Sequence, residues 1–594
     1  MKSKTLSCKR TLFKKDLLRF SPFWGLYTLC LLLGLMLVGG GDFRSDLARN
    51  LPSLLRMMAV VNGGYGLLTA MLLFGDLFDS RMCSGLHALP LRREQIFGVH
   101  AAAGLLFSLI PTLIFSLISL PLLAMAENTR GAMTVGLLWL LGTNLQYLFF
   151  FGLGILCAML TGTRLAMALV YGGLNFCSMG IYLLVDAFYT PMLPGVVTPT
   201  GLARRLCPMV MNASTDFFRV EQTLYHVPDG SLNTYTVFHV GEGWGYLGIL
   251  ALAGLLLLGL SLYLYRKRRL ECAGDFLAFP GLKPLFPVLC GLAAGCLAEL
   301  ISGEQNLFLE SVALGGGWFV GTMLTERTTR VFGKKQVLGL AVFLLVLGAS
   351  LGLTRLDPLG IARWVPEPQK VEYAMICDPY SYYMDDDRPY YLTEPEDIAD
   401  ILEIHRSALE AGPLTEEEIY PTVEDGEDAV PVPSVRVKIR YGLAGGREAL
   451  RTYFVPLDDP AAPLVKKVTS RPVYALHRLE DLLTNSPDRV RSLEVNGLEL
   501  PQEYAAPEDF AALRDALLAD CAAGNMSPYP EFHDPYVLKE DETVFGLQIY
   551  FFCDDYWDTS FVEIYAESAN TLKWLEDRGM IDQILARYDT VTLH

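Results

Sequence analysis

The sequence has no GxxxxGK[ST] loop, no CxxC pair and no Cys/His spacing of the kind that encloses zinc. A phosphate-gripping loop needs a lysine behind its glycines, and the nearest glycine-rich stretch in the tail, 441–450 (YGLAGGREAL), has none. The 12 cysteines of the 594-residue chain stand singly, several of them inside apolar runs (Cys30, Cys157, Cys177, Cys290, Cys296), which leaves metal binding without support. In the tail, Cys377, Cys521 and Cys553 read as buried free thiols, with a single disulfide as the alternative. His405 and His477 have no neighbours that would define a triad and read as structural, and no hydrolase signature appears. No catalytic residue is assigned, and an enzyme is not expected.

Charge is what the first part of the chain has least of. Between 357 and 594 there are 47 acidic against 20 basic residues, and the first 356 residues hold 18 against 28. The first part is rich in Leu, Gly and Phe in runs close to the length that crosses a bilayer, whereas the second has the composition of an acidic soluble protein. The expected fold class is therefore a multi-pass α-helical membrane protein followed by a soluble α+β domain. Nine stretches qualify as spans, at approximately 24–41, 56–77, 98–125, 133–160, 165–187, 243–265, 285–302, 307–324 and 337–354. The basic N-terminus looks like the start of a signal peptide, but no small-x-small cleavage site follows, so the first run reads as a retained span.

Basic residues set the orientation. With the N-terminus in the cytoplasm, segments 1–23, 78–97, 161–164, 266–284 and 325–336 carry 20 Lys and Arg, and the rest of the membrane half carries 8. That is the positive-inside bias, and nine crossings then place the tail outside the cytoplasm. The long external connection is 188–242, whose middle, 201–214, could form a short helix at the outer surface. Its triplet Asn212-Ala213-Ser214 matches a glycosylation acceptor at the level expected by chance. The basic cluster within 265–280 reads as a stop-transfer anchor against anionic lipid, with a second surface for a cytoplasmic partner as the alternative.

The tail divides into two small units, 357–485 and 486–594, each with the order β-α-β-β-α. The first has strands at 371–377, 434–441 and 449–456 and a helix at 394–411. The second has strands at 491–495, 543–552 and 560–566 and helices at 507–523 and 568–585. Both long helices open with Pro and acids in the first turn, where free amides and the helix dipole favour them. The alternation Val435-Arg-Val-Lys-Ile-Arg-Tyr441 is that of a half-buried strand.

Between the second and third spans lies a short basic segment, 78–98, with Arg81, Arg92 and Arg93 but only two acids, Asp79 and Glu94. Gly85 and Pro90 punctuate it, so a short rigid helix could start and stop there. With its basic N-terminus, six spans and long loop between spans five and six, residues 1–265 resemble the permease subunits of ABC transporters of the second exporter type. The elbow motif is carried by Arg81, Gly85, Leu89, Pro90, Arg92 and Arg93. The whole plan is similar to Gram-positive-type bacterial permeases that add three spans, here 266–356, and an extracytoplasmic domain. The resemblance implies a bacterial cell membrane, a cytoplasmic ATPase partner that holds ATP and Mg²⁺ while this chain binds no cofactor, and a second permease in a homo- or heterodimer. It also implies contact with membrane lipid and none with nucleic acid. By the same resemblance, the elbow docks into the ATPase and transmits its closure, and peptide antibiotics or lipid-linked envelope compounds are the expected cargo. A membrane-anchored sensor whose tail binds an extracellular ligand is the alternative.

Polar groups inside spans are candidates for function, although many only join helices. Asn144, Gln146 and Asn175 read as interhelical hydrogen bonders, and Glu299 and Glu310 as a pair across the turn 302–306 or as groups solvated where their spans end. Gly315-Gly316-Gly317 reads as a close helix contact. The tyrosine- and acid-rich stretch 378–392 reads as a solvated face, lacking the spaced ligands of a calcium loop.

Overall fold

Leu-rich runs fold as helices because a helix satisfies its own backbone polar groups where no water is at hand. In the computed structural model these runs give α1 (Lys2–Arg19), α2 (Ser21–Leu37), α3 (Phe43–Leu73), α5 (Arg93–Ala124), α6 (Ala132–Leu160), α7 (Arg164–Asn175), α8 (Cys177–Leu184), α11 (Trp244–Lys267), α12 (Leu285–Ser302), α13 (Leu307–Glu326) and α14 (Lys334–Arg355). Shorter helices are α4 (Ser80–His87), α9 (Gly201–Leu206) and α10 (Pro208–Ser214). The structure describes residues 2–37, 43–126, 128–226, 232–302, 307–377, 391–412, 432–476, 479, 490–495, 498–499, 507–533, 547–553 and 559–583. His477 and all but the last two residues of the stretch 378–392 lie outside them. Two compact units result: Met1–Ala187 with Thr200–Ala349, and Phe188–Pro199 with Ser350–His594.

Among the described residues six helical segments are long and apolar enough to cross a membrane, those of α3, α5, α6, α11, α12 and α14, or up to eight if each of two bent pairs is one span. Nine were expected. The expected first span is one bent pair, α1 and α2, broken by 50° at Phe20, and the expected fifth is the other, α7 and α8, broken by 67° at Phe176. The expected eighth, α13, falls outside that count. The first break has a local cause. Pro22 lacks the N–H that would reach the Leu18 carbonyl, and the Ser21 hydroxyl donates to that carbonyl at 2.9 Å. Pro111 inside α5 likewise leaves the Phe107 carbonyl free, and the Tyr65 hydroxyl of α3 donates to it at 3.1 Å.

The helices of the first unit pack closely where glycine removes a side chain. A Cβ on Gly152 of α6 would stand 2.8 Å from the Gly254 carbonyl of α11, so these two backbones touch. Gly317 of α13 meets the Cys290 carbonyl of α12 in the same way, whereas Gly315 and Gly316 face open space. Strands β3 (Phe218–His226) and β4 (Leu232–Val240) form an antiparallel hairpin, and β1 (Thr129–Arg130) adds to β4 in parallel.

In the second unit, β5 (Val371–Cys377), β6 (Ser434–Leu443) and β7 (Arg447–Pro456) form an antiparallel sheet under α15 (Pro395–Ala411). A second sheet has β8 (Val490–Val495), β9 (Leu498–Glu499), β10 (Leu547–Cys553) and β11 (Thr559–Ile564), in the order β11-β10-β8-β9. The first sheet has the order β2-β7-β6-β5, where β2 is the two-residue strand Val196–Val197. In each sheet the strand before the long helix pairs with the next long strand, which pairs with the last. Val435, Val437, Ile439 and Tyr441 turn inward onto Ile401, Leu402 and Ile404 of α15, as period-2 alternation requires. Asp520, fully buried, accepts from the backbone N–H groups of Asn570 and Thr571 and from both their side chains, which caps the helix Ala569–Glu576. Cys377 is half-buried and Cys521 is buried.

His405 of α15 is fully buried between two tyrosines, its Nδ1 3.1 Å from the Tyr441 hydroxyl and its Nε2 3.0 Å from that of Tyr453. A neutral ring suits this setting, because one nitrogen donates and the other accepts. Burial, with Arg451 and Arg406 nearby, pushes the imidazole down to about 4. The folded state thus resists the proton that the unfolded state takes up. Stability from this group is full above the ordinary histidine range and falls as the pH drops through 6.5 toward 4. Thermal unfolding of this domain should show that decline, and His405→Gln should flatten it while lowering the midpoint at neutral pH.

Candidate functional site

The elbow is a short helix seated on the ends of three long ones. Asp79 starts α4, its carboxylate accepting from the N–H groups of Arg81 at 2.8 Å and Met82 at 3.1 Å. The helix therefore begins at Ser80. Gly85 lies in its last turn, not at its start, because the aspartate caps it six residues earlier than the glycine. Leu89, Pro90 and Leu91 turn the chain into α5, whose first turn is closed by the Gln95 side chain accepting from the Arg92 N–H at 3.3 Å. Arg81, Gly85, Pro90 and Arg92 are exposed and Leu89 is half-buried.

Arg93 is different. Its guanidinium points back across the fold and donates to the carbonyls of Tyr265 (3.3 Å), Arg266 (3.3 Å) and Arg268 (2.9 Å), at and just past the C-terminus of α11. A helix end leaves its last carbonyls without partners and carries partial negative charge, so a fork of N–H groups there satisfies both demands. Glu94 adds a pair with Arg266 at 3.1 Å, across solvent-exposed side chains. The elbow's own end is held by His87, whose Nδ1 donates to the Cys83 carbonyl at 2.8 Å, leaving Nε2 to accept from the Tyr265 hydroxyl at 3.1 Å.

Arg268 completes the joint. Only 4% exposed, it donates to the Ala158 and Met159 carbonyls near the C-terminus of α6 and to the Leu77 carbonyl ahead of α4. The chain after it lies against the end of α6. Ala278 N–H donates to the Leu160 carbonyl at 2.9 Å, and Gly274 N–H to that of Gly162 at 2.8 Å. Gly162 is needed there, because a Cβ would stand 2.4 Å from the Asp275 carbonyl. The basic cluster after α11 is thus split: Arg268 turns inward as a structural clamp, and Arg266, Lys267 and Arg269 stay at the surface.

A buried ionisable pair stands beside this joint. Asp16 of α1 and the His100 Nδ1 of α5 are 2.8 Å apart, with side chains 7% and 4% exposed, and tie the basic N-terminal helix to the start of α5. The signal in the sequence was an aspartate among seven bases, and it gave no hint of its partner 84 residues on.

Of the polar residues expected to join apolar helices, Asn144 and Gln146 do so and Asn175 does not. Asn144 of α6 accepts from Ser108 at 3.1 Å and donates to Thr112 at 2.9 Å, both on α5. Gln146 donates to the Leu55 carbonyl of α3 at 3.2 Å and accepts from Asn62 at 3.3 Å, and Tyr27 of α2 donates to Asn62 at 3.0 Å. Tyr27 also stacks on Tyr65 with ring centroids 4.1 Å apart. Asn175 donates only within its own helix, to the Tyr171 carbonyl at 3.2 Å, and its buried Oδ1 has no partner among the described residues. Asn212 is fully buried in α10. Glu310 is 7% exposed with Oε1 unpartnered among the described residues, and Glu299 is half-buried on α12. Among the described residues no group of three His, Cys, Asp or Glu side chains is placed to hold a metal. No family model, no curated protein and no solved structure matches this chain.

Proposed function

We propose that this chain is the membrane-spanning permease subunit of an ATP-driven exporter, coupled to a separate ATPase through 78–98, with the second unit handling cargo outside. The observation that carries the reading is the joint at α4. An exposed short helix is tied to α11 by His87 and Tyr265, and beside it Arg268 joins Leu77, just ahead of the helix, to the end of α6, while Arg93 joins the start of α5 to the end of α11. A push on its outer face has a stiff path into three spans, as a hinge or rigid-body motion requires.

The strand β2 supports the topology. It follows α8 in the chain and pairs with β7, Val196 with Arg451 and Val197 with Leu450, so the loop after α8 and the tail share one side of the membrane. An even number of crossings must then separate Pro199 from Ser350. Helices α11, α12 and α14 give three, and α13 makes the count even. With α13 and each bent pair read as one span, the pairing supports nine crossings and a tail opposite the elbow. The shared strand order of the two sheets supports a duplicated β-α-β-β-α unit.

Purification of the intact protein from detergent-solubilised membranes should recover a polypeptide with ATPase activity. Replacing the phosphate-loop lysine of that polypeptide should stop transport. If no ATPase accompanies the chain and vesicles carrying it show no ATP-dependent movement of any cargo, the sensor reading takes its place.

A further inference from the structure

The second unit carries an apolar surface that a domain surrounded by water has no use for. Within nine residues at the end of α14 and just after it, Leu356 is 78% exposed, Leu359 82%, Ile361 42% and Trp364 40%. The turn that presents them is built, not loose. Asp357 adopts a left-handed conformation (φ 44°) beyond the helix, and its carboxylate accepts from the N–H groups of Ile361 at 2.6 Å and Ala362 at 3.0 Å. Its charge is thereby turned onto backbone amides and away from the apolar side chains.

Arg451 locks this turn to the sheet. It is 5% exposed, donates to the Ile361 carbonyl at 3.0 Å and lies with its guanidinium 5.5 Å from the centre of the Trp364 ring. The same residue sits on β7 opposite Val196 of β2. Both places where the chain enters this unit from apolar helices, after α8 and after α14, therefore meet at one arginine.

We propose that Leu356, Leu359, Ile361 and Trp364 seat the second unit in the outer leaflet of the bilayer that α14 crosses, at the boundary between phospholipid headgroups and acyl chains. The occupant follows from continuity. The most apolar stretch of α14 is 6% buried by protein, so Leu338, Leu345 and Val346 meet lipid, and the exposed Leu353 and Leu356 carry that surface on to Leu359. Tryptophan suits this depth because its ring is apolar and its N–H polar. Arg355 and Arg363, both exposed, flank the turn and match headgroup phosphates. The seat rests on α14 crossing the membrane, its leaflet on the orientation proposed above, and neither on coupling to an ATPase.

The test uses the full chain in phosphatidylcholine nanodiscs, with acyl chains either plain or brominated close to the headgroup. Tryptophan fluorescence is compared between the parent protein and Trp364→Phe, so that the difference is the signal of Trp364. The expected result is loss of most of that difference in brominated lipid and little change on adding aqueous iodide. The reverse pattern, iodide quenching with no effect of bromine, overturns the proposal. If Trp364→Phe does not fold, Leu359→Trp adds an indole at the most exposed position of the turn, and the same two quenchers decide.

Discussion

Arg268→Ala should destabilise the membrane unit by roughly 3 to 5 kcal/mol, the scale for stranding several buried polar groups at once. The guanidinium serves carbonyls from two separate places, Ala158 and Met159 at the end of α6 and Leu77 ahead of α4, and no water-filled surface replaces it, since the residue is 4% exposed. Arg268→Lys should recover only part of the loss, because a single ammonium cannot reach both sets in the planar geometry of a fork. Thermal unfolding of the intact chain in detergent measures this directly. If the alanine variant melts like the parent, Arg268 is not the clamp and the joint under α4 does not hold as described.

Charge reversal at the outer face of the elbow is the second large effect. Arg81 and Arg92 are both exposed. The double change Arg81→Glu with Arg92→Glu should leave unfolding unchanged while lowering ATP-driven transport on the order of tenfold or more, the size of a typical coupling free energy. Arg93 must be kept out of this experiment. Its guanidinium spans α5 and the end of α11, so Arg93→Glu would place a carboxylate against three carbonyls and lower stability whatever the partner does. Transport and melting temperature measured on the same preparations separate the two roles. Normal transport in the Arg81/Arg92 variant would remove the elbow as the coupling surface.

The sequence made some of this legible and hid the rest for physical reasons. Apolar runs and alternation are local signals, so the long helices and strands such as Val371–Cys377 and Ser434–Leu443 could be placed within a few residues. The bends at Phe20 and Phe176 leave no mark in the hydropathy pattern, because an apolar run reads the same whether straight or broken. The strand β2 was also invisible: two valines in a Pro- and Gly-rich loop carry no periodicity, and their partner lies some 250 residues further on. Among the elbow arginines, composition could not separate Arg92, which faces water, from Arg93, which faces carbonyls. Only the placement of the α11 end distinguishes them.

The topology proposed above, elbow and second unit on opposite sides of the membrane, is tested most directly with single introduced cysteines. Asp458 and Arg81 are both exposed. With a membrane-impermeant maleimide, read against the parent chain, Asp458→Cys should label in intact cells and Arg81→Cys only after the membrane is opened. Labelling of both from the same side would contradict the account.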